Sequence, residues 1–192
     1  LPGEAGPVGL VSVERGLPFI GLAVLHDPLR PEATDPIGDL PEAGVRLVRV
    51  TGDHAGTASA VARAAGLSHG PEEVLTGPEL RSDGLPEDLD KVTVYARVEP
   101  DQKLDLVRAF QDAGEVVALT GDGVIDAPAL RRADIGVAMG RDGSQVAREA
   151  ADLVITDDDL RLVVKAVYAG RAIYDNIRKV VHYLLSCNIS EI

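Results

Sequence analysis

Two carboxylates, Asp122 and Asp126, stand four residues apart in the run Thr120-Gly121-Asp122-Gly123-Val124-Ile125-Asp126-Ala127-Pro128-Ala129-Leu130. Hard carboxylate oxygens so placed suit Mg²⁺, which takes one or two protein carboxylates and fills its other positions with water and phosphate oxygens. The preceding Val116-Val117-Ala118-Leu119 is short, apolar and β-branched, which predicts a buried parallel strand. Gly121 and Gly123 permit a tight turn. Asp126-Ala127-Pro128 reads as a helix start, with Pro in the first turn where its missing N–H costs nothing. Both carboxylates then meet at the carboxyl end of the sheet, the ligand edge of an open α/β fold. Asp122 is the Mg²⁺ ligand in this reading and Asp126 its partner, holding the geometry or a metal-bound water. Asp126 has a plainer alternative as a helix N-cap, and the two roles can coexist.

Further along the same edge, Thr51 lies just past the apolar strand Val45–Val50, where its hydroxyl and the Gly52 backbone N–H can donate to phosphate oxygens. The alternative there is a strand-ending turn. Lys103 falls on the first turn of the helix after Glu99-Pro100, so its ammonium can reach back over the strand ends. An exposed helix lysine is the bland alternative. No Walker A run and no G-x-G-x-x-G turn occurs, which removes the commonest nucleotide-phosphate routes.

The elements that must position these groups alternate. Phe19–Leu25 reads as a strand. Pro31–Ala43 reads as a helix shortened or broken by Pro36 and Pro41, since an interior proline costs about 3 kcal/mol. Val45–Val50 is a strand and Thr57–Ala65 an alanine-rich helix closed by Gly66. Gly70–Leu89, polar and punctuated by Pro and Gly, reads as a surface excursion with little regular structure beyond a turn near Pro78-Glu79-Leu80. Then follow strand Val92–Ala96, helix Asp101–Ala113, strand Val116–Leu119, helix Ala127–Ala133, strand Ile135–Ala138, helix Ser144–Ala150 and strand Leu153–Ile155. This rhythm predicts a three-layer, Rossmann-like α/β domain, its parallel sheet covered on both faces, over residues 17–158. Residues 1–16 read as a loop or domain-joining segment, and residues 159–192 as one helix of roughly 50 Å. Asp157-Asp158-Asp159 before it reads as a capping, solvated cluster rather than a metal site.

Composition sets the outer limits. The 192 residues and 45% hydrophobic content fit one folded domain. A net charge of −12 disfavours nucleic acid, whose phosphates demand a basic surface. Cys187 is the only cysteine, which rules out an intramolecular disulfide and a cysteine zinc site. His26, His54, His69 and His182 are scattered without ligand spacing. The first sixteen residues lack the basic start and apolar core of a signal peptide. Met139 is the only methionine, which suggests residues cut from a longer polypeptide. Val180 to Ile192 falls short of the ~20 residues of a membrane span and looks like one that stops early.

The run around Asp122 resembles the TGDGVNDAPAL signature of P-type cation-transporting ATPases, of the haloacid-dehalogenase-like superfamily, with Ile125 where the family has Asn. Asp27-Pro28-Leu29-Arg30, Thr51-Gly52-Asp53, Ala96-Arg97-Val98-Glu99-Pro100 with Lys103, and Tyr183-Leu184-Leu185-Ser186-Cys187-Asn188-Ile189-Ser190-Glu191 match in the family's order. The resemblance implies an ATP-driven pump with Mg²⁺ as cofactor, the catalytic set Thr51, Lys103, Asp122 and Asp126, and ATP contacts from Thr51, Gly52, Asp53, Arg97 and Lys103. It implies a stalk helix running into a membrane segment, with Asn188 and Glu191 at cation-binding positions as in calcium-type pumps. Their spacing of three puts both on one helix face, although a frayed helix end is the alternative. The parent protein would be membrane-bound, with this portion mainly on the cytoplasmic side. The family's phosphorylated DKTGT aspartate and its nucleotide-binding domain have no counterpart here, so these residues alone cannot form the acyl-phosphate. A catalytically inactive Mg²⁺- or phosphate-binding regulatory module is the second expectation, and a small soluble phosphatase the third.

Overall fold

The computed structural model describes residues 34–67, 70–86 and 88–190, together with Pro18, Ile20 and Gly21. The segment expected as a loop, Asp27-Pro28-Leu29-Arg30, His26, His69 and Glu191 lie outside the described residues, as does nearly all of the strand expected over Phe19–Leu25.

Chain order is α1 (Thr34–Glu42), β1 (Arg49–Val50), α2 (Ala55–Ala64), β2 (Val74–Thr76), α3 (Gly77–Asp83), β3 (Val94–Ala96), α4 (Pro100–Asp112), β4 (Ala118–Gly121), α5 (Ala127–Arg132), β5 (Ile135–Met139), α6 (Gln145–Ala150), β6 (Leu153–Ile155) and α7 (Arg161–Ser190). Every strand pair among the described residues is parallel. The described strands divide into two three-stranded sheets, ordered β1-β3-β2 and β4-β5-β6.

Alternation along β3 builds the three layers of the first sheet. Val94 and Ala96 turn to one face, against Ala58 and Ala62 of α2. Tyr95 turns to the other, against Val98 in the connection after β3 and Leu106 of α4, with the Phe110 ring edge-on at 6.4 Å between centroids. In the second sheet Ala138 of β5 packs on Leu130 of α5 and Ala147 of α6. Helix α4 joins the halves, because its Gln111 amide donates to the Arg132 carbonyl at 3.1 Å and to the Asp134 carboxylate at 3.0 Å.

Several boundaries differ from the sequence reading. The excursion over residues 70–89 contains a 3₁₀ turn (Pro71–Glu73), edge strand β2 and helix α3. Gly77-Pro78 is a helix start rather than a loop. The Glu79 carboxylate accepts from the Thr76 N–H at 2.8 Å and its hydroxyl at 2.6 Å, and a side chain at Gly77 would collide with the Arg97 carbonyl. A strand of three residues offers too little periodicity to read. Strand β4 begins two residues later than expected and runs through Gly121, because its register pairs Ala118 with Ile135 and Gly121 with Ala138. Val116 is consequently 79% exposed rather than buried. Helix α2 starts earlier than expected because the His54 ring nitrogen accepts from the Gly56 N–H at 3.3 Å as its N-cap.

Helix α1 is short, as its prolines require, with Pro41 confined to its last turn. Helix α7, of 30 residues, is about 45 Å long at 1.5 Å per residue. It carries an exposed apolar stripe that includes Ile173, Ile177, Val180 and Leu184. Among the described residues no helix is long and apolar enough to cross a membrane. The expected run into a membrane span therefore has no support in α7, whose apolar residues share their helix with Arg171, Asp175, Arg178 and Lys179.

The Tyr95 hydroxyl is buried with no hydrogen-bond partner among the described residues, so Tyr95→Phe should raise stability by on the order of 1 kcal/mol in urea melts. The Val117 N–H, at 2.9 Å, and then the Gln111 amide hold the Asp134 carboxyl below its ordinary range. A lowered carboxylate stabilises the fold above its unfolded value and loses that effect as pH falls through the folded value. The stability gap between the parent and Asp134→Ala should therefore be full at neutral pH and close on acidification, as thermal melts across pH will read.

Candidate functional site

Strand β4 delivers Thr120 and Gly121 to its carboxyl end, where the chain turns through Asp122 and Gly123 into a 3₁₀ turn, Val124–Asp126, and then α5. Glycine is required at 121, since a Cβ there would lie 2.8 Å from the Asp126 Cβ. Asp126 is the only buried charged residue among those described, at 8% exposure. It makes no N-cap hydrogen bond to α5. One carboxylate oxygen accepts from the Lys103 ammonium at 2.6 Å and the other from the Gly123 N–H at 3.2 Å.

Lys103 sits in the first turn of α4, which follows β3, while Asp126 follows β4. Their contact therefore brings the carboxyl ends of both sheets to one side. It also settles the bland alternative for Lys103, whose side chain is 16% exposed. Asp122, by contrast, is exposed. Its backbone carbonyl accepts from the Ser144 N–H at 2.7 Å, fixing the loop while the carboxylate faces solvent.

Thr51 follows β1 directly, with its N–H on the Tyr95 carbonyl at 2.9 Å and its carbonyl accepting from Val98 N–H at 3.0 Å. Its hydroxyl oxygen accepts from the Asp53 N–H at 3.1 Å, closing the strand-ending turn, and the hydroxyl proton stays available to a ligand. The Asp53 carbonyl accepts from the Arg97 N–H at 2.9 Å, so the Thr51-Gly52-Asp53 and Arg97 segments adjoin. Arg97 has φ 52°, a left-handed conformation uncommon for a non-glycine residue. It lines a cleft of about 350 Å³ with Pro78, Arg81, Ser82 and Glu99, which includes neither Lys103 nor the Asp122 loop. Asn188 is exposed near the end of α7.

The donor set decides which metal fits. Among the described residues no three of His, Cys, Asp and Glu cluster as a metal cage, which disfavours zinc or a calcium cage. One solvent-facing carboxylate backed by a second, already anchored one suits Mg²⁺, which keeps several waters. Asp122 would hold the ion directly and Asp126 through a water.

The sequence reading missed the loop after β5. Gly140 to Ser144 packs its backbone against Asp158 and Asp122. The glycines at 140 and 143 were visible signals, but Asp158 was absorbed into a capping cluster. Asp157 and Asp159 do make turn and cap bonds, to the N–H groups of Asp159 and Arg161.

Comparison with known proteins places this geometry. Residues 7–134 match the haloacid dehalogenase-like hydrolases. The chain is 46% identical over 188 residues to calcium-transporting ATPase 1 of Bacillus cereus, covering 96% of this chain and 21% of that protein. It is 48% identical over 186 residues to the probable cation-transporting ATPase F of Mycobacterium tuberculosis, covering 93% and 21% respectively. A crystal structure of a zinc-transporting PIB-type ATPase in an E2.Pi state superposes with a TM-score of 0.63 at 32% identity, covering 80% of this chain and 21% of that one. The chain thus spans about a fifth of the length of these relatives.

Breaking a shielded ion pair from one side leaves the other charge uncompensated. Lys103→Met should cost about 3 kcal/mol in urea unfolding. Adding Asp126→Asn should recover most of it, because the amide oxygen still accepts from Gly123 and the orphan charge is gone.

Proposed function

The chain belongs to the haloacid dehalogenase-like hydrolases, and we propose that it forms the Mg²⁺- and phosphate-binding half of the phosphorylation site of an ATP-driven P-type cation pump. The observation that carries this reading is the Lys103–Asp126 contact, 2.6 Å long, which gathers an ammonium, an anchored carboxylate and the solvent-facing Asp122 at one sheet edge. Sequence identity to calcium- and cation-transporting ATPases supports it, and calcium is the favoured cargo.

Each residue then has a chemical task. Asp122 binds Mg²⁺, which when bound neutralises charge building on the transferring phosphoryl group. Lys103 is held within reach of the same oxygens by Asp126, which restrains the ammonium and lowers the entropy lost on phosphate binding. Thr51 donates its hydroxyl proton and Gly52 its backbone N–H to the phosphoryl oxygens. Asp53 and Arg97, joined through the Arg97 N–H, extend the surface toward the nucleotide of ATP. The nucleophilic aspartate comes from outside these 192 residues, which contain no DKTGT run. The outer edges of β1 and β4, unpaired among the described residues, are where a strand carrying it would add. In the parent pump this portion lies mainly on the cytoplasmic side of the membrane, residues 159–192 act as the stalk, and Asn188 and Glu191 belong to the cation path.

Ile125 favours a second reading, a catalytically inactive Mg²⁺- or phosphate-binding module with a regulatory or interaction role. Its side chain is 59% exposed beside the metal loop and offers no hydrogen bond where the resembled pumps place an amide. Losing such a donor costs about 10²–10³ in rate at a preorganised charged site.

Two measurements test the pair of readings. Calorimetry with Mg²⁺ and inorganic phosphate should show binding that Asp122→Ala weakens at least about tenfold; heat equal to the parent's would remove Asp122 from the site. Sequencing the upstream coding region should reveal DKTGT in the same frame, and a start codon immediately before Leu1 would leave only the inactive module.

A further inference from the structure

We propose that Asp158 is a positioning residue for Asp122, acting through the loop Gly140–Ser144, and that it links the start of α7 to the metal loop. The inference rests on the reading of Asp122 as the Mg²⁺ ligand. It concerns how that carboxylate is held.

Asp158 and Arg97 are the non-glycine residues with positive φ among those described, and Asp158 has φ 58°. The left-handed turn points its carboxylate back at the loop after β5. One oxygen accepts from the N–H of Gly140 at 2.7 Å and of Arg141 at 3.1 Å, and the other from Asp142 at 2.9 Å. Successive backbone N–H groups converging in this way form an anion-binding concavity. Here the anion is the protein's own side chain, so the loop serves geometry rather than phosphate binding.

The other side of the loop is fixed as firmly. An Arg148 guanidinium nitrogen donates to the carbonyls of Gly140 and Gly143, each at 2.9 Å. A Cβ at Gly140 would come within 2.6 Å of the Ile155 carbonyl, and one at Gly143 would collide with that of Met139. With both N–H and carbonyl groups held, the loop has little freedom left. It ends at Ser144, whose N–H donates to the Asp122 carbonyl at 2.7 Å.

A capping role alone does not account for this arrangement. The N–H of Arg161, at the head of α7, is met by Asp159 at 2.9 Å, whereas the Asp158 carboxylate accepts from three N–H groups of the loop after β5. Asp158 lies three residues before α7 begins, so a displacement of that end of the helix pulls on the loop and, through Ser144, on Asp122.

The route predicts a specific pattern in the 192-residue chain. Asn tolerates the left-handed conformation, so Asp158→Asn keeps shape and turn while replacing one acceptor oxygen with a donor. Ser144 has φ −64°, which Pro adopts, so Ser144→Pro deletes the N–H that reaches Asp122. Ser144→Ala deletes only the hydroxyl that caps α6. Amide hydrogen exchange of Gly123 without metal should be about tenfold faster in Asp158→Asn and Ser144→Pro, and unchanged in Ser144→Ala. Mg²⁺ affinity by calorimetry should fall about tenfold in the same two variants, the usual effect of losing a group that orients a ligand. Gly123 exchange at the parent rate in Asp158→Asn, or equal acceleration in Ser144→Ala and Ser144→Pro, overturns the link. If Asp122→Ala binds Mg²⁺ like the parent while Gly123 exchange follows the stated pattern, the metal reading fails and the mechanical link stands.

Discussion

The ion pair between Lys103 and Asp126 is the constraint on which the other features of the site depend. At 2.6 Å, with side chains only 16% and 11% exposed, neither charge can be left alone without a desolvation penalty. The pair crosses from the helix after β3 to the turn after β4, and so couples two sheets that share no backbone hydrogen bonds among the described residues. It also divides labour between the two carboxylates. Asp126 is committed to the protein and Asp122 is left to solvent. Four residues of sequence separation gave them similar chemistry, and burial made them different.

Close approach of backbones governs the loops around that pair. Gly77, Gly121, Gly140 and Gly143 each sit where a Cβ would collide with a neighbouring atom, 2.8 Å away or less. These glycines bring loops of both sheets near enough for backbone N–H and carbonyl groups to do the positioning. The loop after β5 shows the principle most fully, with an internal carboxylate on one side and an internal guanidinium on the other. Rigidity of this kind is what the proposed role of Asp122 calls for, because Mg²⁺ demands near-ideal octahedral geometry.

Local patterns were readable where physics acts over short range. Alternating apolar runs and helical stretches placed β3, α4, β5 and α6 close to their observed bounds, and Glu99-Pro100 marked the start of α4, where Glu99 N–H is met by Gln102 at 3.0 Å. The segment over residues 70–89 was not readable, because β2 has only three residues and Gly77 is set by its close approach to the Arg97 carbonyl. Val116-Val117 misled for a related reason. Its β-branched residues favour a strand, but the register with β5 starts at Ala118, and register is a property of two segments. His54 carried no ligand spacing, and its role as the cap of α2 followed from backbone geometry beside it.

The residue types and spacing of Thr51, Lys103, Asp122 and Asp126 set the groups this chain can offer, hard carboxylate oxygens, a hydroxyl and an ammonium, a set suited to Mg²⁺ and phosphate. The alternation of apolar segments determined the α/β layering, because each sheet face and helix stripe must be buried. Only the tertiary structure decided that Lys103 meets Asp126 rather than Asp122, that Asp158 meets the loop after β5, and that the described strands fall into two sheets. Those outcomes depend on distances between residues far apart in the chain, which hydrogen bonding and close packing fix and which no local pattern encodes.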